Sequence, residues 1–263
     1  MDAPSPYQRW KLTLEYDGTA FHGWQKQAQT PLTAQEALYD ALRAFCRHPL
    51  CGQHITAAGR TDRGVHALAQ VAHVDMPPLS SLTPHAMRDG VNDHLRQQHH
   101  DALVVLDATP VPPHFHARFN ATERHYLYRI LNRQAPSSLE RQRAWHVRHP
   151  LNLHHMNDAC QLLTGWHDFS SFRASGCQGK NPQRHLHTLY VSQHESILCV
   201  HATAPSFLYK QVRILTATLV YVGMGRYTQD TIRAIFNAKK RHHATPTAPA
   251  HGLYLRHITY PPP

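Results

Sequence analysis

The sequence contains few cysteines, and their spacing argues against both a metal site and a disulfide framework. There are five in 263 residues, and no two form a Cys-x-x-Cys pair. An odd, scattered set of this kind is typical of a reduced protein. We therefore predict no zinc site, no disulfide framework and a cytoplasmic location. The five are Cys46, Cys51, Cys160, Cys177 and Cys199.

Two further features are missing. No uninterrupted apolar run reaches about 18 residues, so we predict no membrane span. The first residues, Met1-Asp-Ala-Pro-Ser-Pro, lack the basic and apolar regions of a secretory signal. The chain also has neither a dinucleotide-binding nor a phosphate-cradling glycine motif, which disfavours a nucleotide cofactor.

Acidic residues are scarce relative to basic ones. The 17 Asp and Glu face 27 Lys and Arg, which gives a formal net charge of +10. A basic protein commonly binds a polyanion such as nucleic acid, although a generally basic surface without a partner has the same composition. The run from Lys239 to His243 is open to both interpretations.

Histidine is abundant, with 25 residues. Adjacent pairs occur at 99–100, 154–155 and 242–243, but neighbouring side chains point in different directions and no carboxylate accompanies them at ligand spacing. We therefore predict no metal and no cofactor.

The pattern of elements predicts an α+β fold. Alternation from Trp10 to Tyr16 is typical of a half-buried strand, and Thr33 to Glu36 resembles a capping box that opens a helix. Thr83-Pro84 predicts a second helix start. Similar elements recur after a proline-rich stretch, with long loops predicted at 133–148 and 175–183. We predict two domains, 7–109 and 110–262.

The segment from Ala58 to His66 reads AGRTDRGVH and is the most informative part of the chain. Asp62 lies between Arg60 and Arg63, and nearby positive charge favours an ionised carboxylate. An accessible ionised carboxylate is a candidate nucleophile. A structural turn aspartate paired with arginine is the alternative.

This loop, with three other stretches, resembles the tRNA pseudouridine synthase A family. The stretches are YDGTAFHGWQ at 16–25, ARFNATERHYLY at 117–128 and DFSSFRA at 168–174. The order and spacing agree with the family from about residue 12 to 260. The resemblance implies two RRM-like or ferredoxin-like halves with mainly antiparallel sheets joined around a central cleft. It also implies a homodimer and an isomerase that converts uridine to pseudouridine at positions 38, 39 and 40 of the tRNA anticodon stem-loop.

The resemblance also implies roles for individual residues. Asp62 is catalytic, and its carboxylate has three possible routes: attack at ribose C1′, addition at uracil C6, or proton removal during glycal formation. Arg60 assists extrusion of the nucleotide, and Tyr126 packs against the uracil. Arg213, in an otherwise apolar helix, pairs with the catalytic aspartate. Ile214 departs from the asparagine that usually follows.

From the residues alone, other interpretations stay open. Tyr126 could be a core aromatic of a strand, and Arg213 could extend to solvent from a partly buried stem. A non-catalytic RNA-binding module would keep the basic surface but gain nothing from Asp62. A histidine-rich metallohydrolase would need a ligand set that the sequence does not contain.

Overall fold

The computed structural model describes residues 7–27, 31–48, 51–52, 54–78 and 81–262, which form two compact units. The first unit consists of the described residues within Met1–Thr122 and Leu255–Pro263, and the second is Glu123–Tyr254. The described ranges contain five α-helices and eleven strands, most of them paired antiparallel, so the mixed α and β class is confirmed. The predicted domains, 7–109 and 110–262, stay a prediction.

The first unit is built on an antiparallel sheet with helices between its strands. The neighbours across the sheet run in the order β4, β1, β3, β2, although β2 contributes only two residues. The inward residues of β1 are apolar, as the alternating pattern predicts. In chain order the elements are β1 (Gln8–Tyr16), α1 (Ala34–Cys46), β2 (Thr56–Ala57), β3 (His66–Met76), α2 (Pro84–Gln97) and β4 (Leu103–Val111).

Threonine side chains cap both helices of this unit. The Thr33 hydroxyl accepts from the Glu36 N–H, and the Thr83 hydroxyl accepts from the Ala86 N–H, which satisfies free amides of the first turns. Both predicted helix starts are therefore confirmed. The Glu36 carboxylate forms an ion pair with Lys26 (Nζ–Oε1 2.8 Å).

The prediction that the chain has no disulfide framework is wrong, because Cys46 and Cys51 form a disulfide. Arg47, directly after α1, has a positive φ of 51°, which ends the helix and turns the chain. The Cα atoms of the two cysteines consequently lie 6.3 Å apart, within the usual range for a disulfide. Cys160, Cys177 and Cys199 are not disulfide-bonded.

In the second unit, β10 lies between β5 and β9 and is antiparallel to both. Helix α4 is almost wholly buried, and α3 packs against α4 and β9. The elements are β5 (Glu123–Asn132), β6 (Trp145–Val147), α3 (Leu153–Leu163), β7 (Gly165–Asp168), β8 (Gln183–Leu186), β9 (Thr188–His194), β10 (Ile197–Ala204), α4 (Gln211–Gly223), α5 (Gln229–Ala238) and β11 (Leu253–Thr259), which passes into the first unit after Tyr254.

Two short strands overlap the predicted loops, and a third pairs with one of them. β6 pairs in parallel with β5 inside the predicted loop 133–148, and β7 pairs with β8, which begins at Gln183. When these are set aside, the second unit repeats the order of the first. The succession β1, α1, β2, β3, α2 corresponds to β5, α3, β9, β10, α4, and in each case the third strand lies between the other two. Within the described ranges, each helix is too short or too polar to cross a bilayer.

Candidate active site

The loop that connects β2 to β3 carries the predicted catalytic aspartate. It begins where the Ala58 N–H donates to the Val71 carbonyl (2.8 Å) and ends in a turn in which the Val65 N–H donates to the Asp62 carbonyl (3.1 Å). Gly64 has a φ of 78°, which glycine adopts without strain and which lets this turn close. The loop therefore has a fixed backbone at both ends.

Exposure alternates along the tip of this loop. Thr61 is 7 % exposed, whereas Arg60 and Arg63 are exposed and Asp62 is partly exposed. Asp62 is therefore a partly exposed residue that directly follows one anchored inside the unit. Two flanking guanidinium groups make this surface attractive to a polyanion.

A buried set of hydrogen bonds anchors the loop from below. The Tyr16 hydroxyl and the Thr61 Oγ1 lie 2.7 Å apart, and the Gln70 Nε2 donates to the Gly59 carbonyl (2.6 Å). Burial raises the pKa of Tyr16 to about 12, although its bonds to Thr61 and Gln70 act in the opposite direction. Tyr16 is therefore a neutral phenol at physiological pH.

The segment that follows β1 holds the same loop from another side. The Trp24 N–H donates to the Thr61 carbonyl (3.0 Å). Gly23 has a φ of 92°, and a Cβ there would lie 2.8 Å from the Thr61 carbonyl oxygen. At Gly18 a Cβ would lie 2.0 Å from the Val65 carbonyl oxygen. Both glycines therefore allow a backbone approach that a larger residue would prevent.

The sequence analysis did not single out these supporting residues. Tyr16, Gly18 and Gly23 belong to the quoted stretch 16–25, so the family motif was a signal, but Gln70 lies in a strand and has no comparable signal. The contacts join residues 45 and 54 positions apart, which no local pattern reveals.

In the second unit, Tyr126 is a partly exposed residue of β5. Its ring lies edge-on to Phe207, with 5.2 Å between centroids. Tyr128, two residues further along the same strand, is fully buried and donates its hydroxyl to the Pro249 carbonyl (2.8 Å). The pKa of Tyr128 is raised by burial, and the nearby charge of Arg213 offsets only part of this rise. Tyr126 is thus the more accessible of the two rings.

Arg213 lies in the first turn of α4. Its Nε donates to the Ala248 carbonyl (2.8 Å), and the Ala248 N–H donates back to the Arg213 carbonyl (3.2 Å). Lys210, directly before the helix, has a φ of 59°, which turns the chain into α4. The guanidinium is therefore held by its Nε side and is only partly exposed.

The stretch 168–174 packs beside the entry to α4. The Asp168 Oδ1 accepts from the Ser170 N–H (2.9 Å), and its Oδ2 lies 3.5 Å from the Lys239 Nζ. Burial acts to raise the pKa of Asp168, but the Ser170 hydrogen bonds and Lys239 outweigh it, so the pKa is lowered. The Ala174 N–H donates to the Tyr209 carbonyl (3.0 Å). This aspartate serves local structure with both oxygens.

The predicted site residues are distributed over the two units. Arg60 and Asp62 share one loop of the first unit, whereas Tyr126 and Arg213 belong to β5 and α4 of the second. In the part of the chain that the structure describes, no three His, Cys, Asp or Glu side chains are grouped so that they could hold a metal ion.

Comparison with known proteins identifies close relatives. The sequence profile of a family described as tRNA pseudouridine synthase matches residues 13–120 and 159–261. Proteins called tRNA pseudouridine synthase A are similar over 96 % of this chain. The one from Rhodospirillum centenum is 47 % identical over its whole length, and that from Bartonella tribocorum is 44 % identical over 99 % of its length. The Ehrlichia chaffeensis protein is 42 % identical over its whole length.

Proposed function

The chain belongs to the tRNA pseudouridine synthase family and is an isomerase that acts on tRNA, and from this premise we propose a specific reaction. The substrate is uridine at positions 38, 39 and 40 of the anticodon stem-loop, and the product is pseudouridine. The reaction breaks the bond from ribose C1′ to uracil N1 and forms one to C5. It is redox-neutral and transfers no group from another molecule.

Asp62 is the catalytic residue of this proposal. The observation that carries it is the loop geometry: a partly exposed carboxylate follows a residue, Thr61, that is buried and bonded through both its hydroxyl and its carbonyl. A carboxylate on a fixed backbone loses little conformational freedom when the substrate binds. This is the property required of a group that must meet C1′ or C6 of an extruded nucleoside.

Arg60, Tyr126 and Arg213 bind the substrate in this proposal. Extruding a base costs a few kcal/mol, and stacking it on an aromatic ring returns about 1–3 kcal/mol. The partly exposed ring of Tyr126 suits that role, and the exposed Arg60 can occupy the space that the base vacates. Arg213 supplies a fixed positive charge because the Ala248 carbonyl orients its guanidinium.

Further features of the proposal concern the protein as a whole. We propose a cytoplasmic homodimer that binds RNA, with each unit a ferredoxin-like half. The shared order of strands and helices in the two units supports the last point, because a β-α-β-β-α-β succession is typical of that fold. Light scattering of the purified protein tests the dimer: a mass of one chain at micromolar concentration would contradict it.

The reaction is tested by tritium release from tRNA labelled at uracil C5. The wild-type chain should release tritium, and Asp62→Asn should release none while binding tRNA with near-normal affinity, because the amide keeps the shape of the side chain. Asp101→Asn is the matched control, since Asp101 is an exposed carboxylate of the same unit. Release by the Asp62 variant at the wild-type rate would end the assignment.

A further inference from the structure

Three polar side chains form a buried cluster beneath the aspartate loop, which we call the Tyr16–Thr61–Gln70 cluster. Their exposures are 3 %, 7 % and 0 %. The Tyr16 hydroxyl lies 2.7 Å from the Thr61 Oγ1 and 3.5 Å from the Gln70 Nε2. The same Gln70 nitrogen donates to the Gly59 carbonyl at 2.6 Å. One residue from each of β1, the loop and β3 therefore meets inside the first unit.

Two hydrogen bonds meet at the Tyr16 oxygen. An amide nitrogen only donates, so Tyr16 accepts from Gln70. Between Tyr16 and Thr61, either hydroxyl can be the donor. Gln70 also holds the Gly59 carbonyl, so the cluster fixes the loop at two residues, both within three positions before Asp62.

Stability of the core does not require polar side chains at the position of the cluster. The other inward residues of β1 are Trp10, Leu12 and Leu14, which are apolar and buried. Polar groups appear at the end of this strand, below the loop. Burying a polar group is costly unless it is bonded, and an apolar pair of similar shape is nearly neutral by comparison. The cluster therefore provides orientation that an apolar core would not.

The loop is held on its other side by backbone contacts. The Trp24 N–H donates to the Thr61 carbonyl at 3.0 Å, so Thr61 is bonded through both its side chain and its main chain. Beyond Asp62, the Val65 N–H donates to the Asp62 carbonyl at 3.1 Å. Removing the Tyr16 hydroxyl would release its side-chain bonds to Thr61 and Gln70 and leave this backbone frame in place. The contribution of the cluster can thus be measured without dismantling the loop.

We propose that Tyr16, Thr61 and Gln70 are positioning residues that set the direction of the Asp62 carboxylate for the reaction. This inference rests on the proposed function of Asp62. The three side chains act through the loop backbone and need not touch the substrate. Their loss should therefore lower kcat and leave the KM for tRNA nearly unchanged.

The test compares Tyr16→Phe, Thr61→Val and Thr61→Ser in steady-state tritium release with tRNA. Tyr16→Phe and Thr61→Val each remove one hydroxyl and keep the volume, and each should lower kcat by up to about 100-fold, the loss expected for a misplacement of about 1 Å. Thr61→Ser restores the hydroxyl and should recover most of kcat. The double variant Tyr16→Phe/Thr61→Val should be no worse than Tyr16→Phe alone, because the bond that Thr61→Val removes is already lost in Tyr16→Phe.

Tyr260→Phe is the matched control. Tyr260 donates its hydroxyl to the Ala117 carbonyl at 2.7 Å in the same unit, so the variant removes one comparable hydrogen bond away from the loop. Tyr16→Phe and Tyr260→Phe should lower the melting temperature similarly, and only the former should lower kcat.

The outcomes separate this inference from the function that it assumes. An inactive Asp62→Asn together with a Tyr16→Phe at wild-type kcat would overturn the positioning role alone. An active Asp62→Asn would overturn the proposed catalytic role of Asp62, on which this inference rests. Equal losses of kcat in Tyr16→Phe and Tyr260→Phe, or a Thr61→Ser as impaired as Thr61→Val, would also reject the positioning role.

Discussion

The connection between β2 and β3 in the first unit and that between β9 and β10 in the second have the same place in the order of elements but differ in construction. The first is the eight-residue loop 58–65, bonded to buried side chains beneath it. The second is the two-residue turn of Glu195 and Ser196, where Glu195 has a φ of 51°. The shared order of strands and helices thus determines where a connection between two strands occurs. Hydrogen bonds to buried polar side chains determine whether a long connection, such as the loop 58–65, keeps a defined shape.

The units also differ in how they use a carboxylate. Both oxygens of Asp168 are engaged, one by the Ser170 N–H and one by Lys239, so this acid holds a turn. Asp62 lies at the tip of its loop, where we propose that it takes part in the reaction.

Gly23→Ala should harm the first unit more than Gly225→Ala harms the second. Both glycines have positive φ, at 92° and 72°, but a Cβ at Gly23 meets the Thr61 carbonyl, whereas at Gly225 it meets nothing within 4 Å. Gly225→Ala should cost about 1–2 kcal/mol of unfolding free energy from backbone strain alone. Gly23→Ala should cost about 2–5 kcal/mol and lower kcat as well.

For Gly23→Ala and Gly225→Ala, denaturant unfolding measures the loss of stability and tritium release measures kcat. The contrast between the units fails if the two variants lose stability equally, or if kcat falls equally in both.

Mild acid should weaken the first unit through His73. Burial, followed by the charge of Arg9, lowers the pKa of His73 to about 4. In the unfolded chain His73 is protonated near pH 6.5, whereas in the folded protein it is protonated only near pH 4. The free energy of unfolding therefore decreases as the pH falls from about 6.5 to about 4. The loss reaches about 2–3 kcal/mol at pH 4.5.

The unfolding free energies at pH 7 and pH 4.5 measure this loss of stability. Hydrogen exchange follows β3 of the first unit and β10 of the second unit separately, and the loss should be found in β3. His73→Gln keeps an acceptor for the Ala117 N–H and should reduce the difference between the two pH values. If His73→Gln loses as much unfolding free energy between pH 7 and pH 4.5 as the wild type, other groups cause the acid sensitivity. Asp75 is one such group, because the hydrogen bond from Arg9 lowers its pKa.

Tyr126→Ala should lower kcat/KM by the value of one stacked base, about 1–3 kcal/mol or roughly 5- to 150-fold. Tyr126→Phe keeps the ring and should retain most activity. The control is Tyr190→Ala, because Tyr190 is also an aromatic residue of this sheet, 44 % exposed and stacked on His201 at 4.4 Å. Equal losses in the two alanine variants would mean that Tyr126 contributes only general packing.

The smallest effect is expected at Lys240, an exposed residue of the basic run 239–243. If it meets an RNA phosphate, Lys240→Ala should reduce the slope of log affinity against log salt by about 0.7. Lys26→Ala should leave the slope unchanged, since Lys26 is already paired with Glu36. A slope that is unchanged in Lys240→Ala would make the run a solvated basic face.

Local patterns predicted the elements of this fold better than its pairings. The alternation in β1 and the threonines before α1 and α2 specify structure from nearby residues, and these elements formed as expected. By contrast, β7 and β8 are four residues each and pair across a long loop. The disulfide depends on the turn at Arg47, and no local residue pattern predicts the positive φ of that residue.

The candidate site shows the same division. The aspartate loop was identified because its residues are contiguous, and the family motif then suggested Tyr126 and Arg213. The contacts of Tyr16 with Thr61 and of Gln70 with Gly59 require the strand register between β1 and β3, which no single stretch contains. The bonding partners that shape a site are therefore harder to predict than the reacting group itself.

The most direct test of the central claim is a side-by-side measurement of pseudouridine formation by Asp62→Asn and Asp168→Asn in single turnover on tRNA. Our account predicts no product from the Asp62 variant and a rate close to that of wild type from the Asp168 variant, with tRNA bound by both. Product formation by Asp62→Asn at the wild-type rate, or its loss in Asp168→Asn alone, would contradict the account.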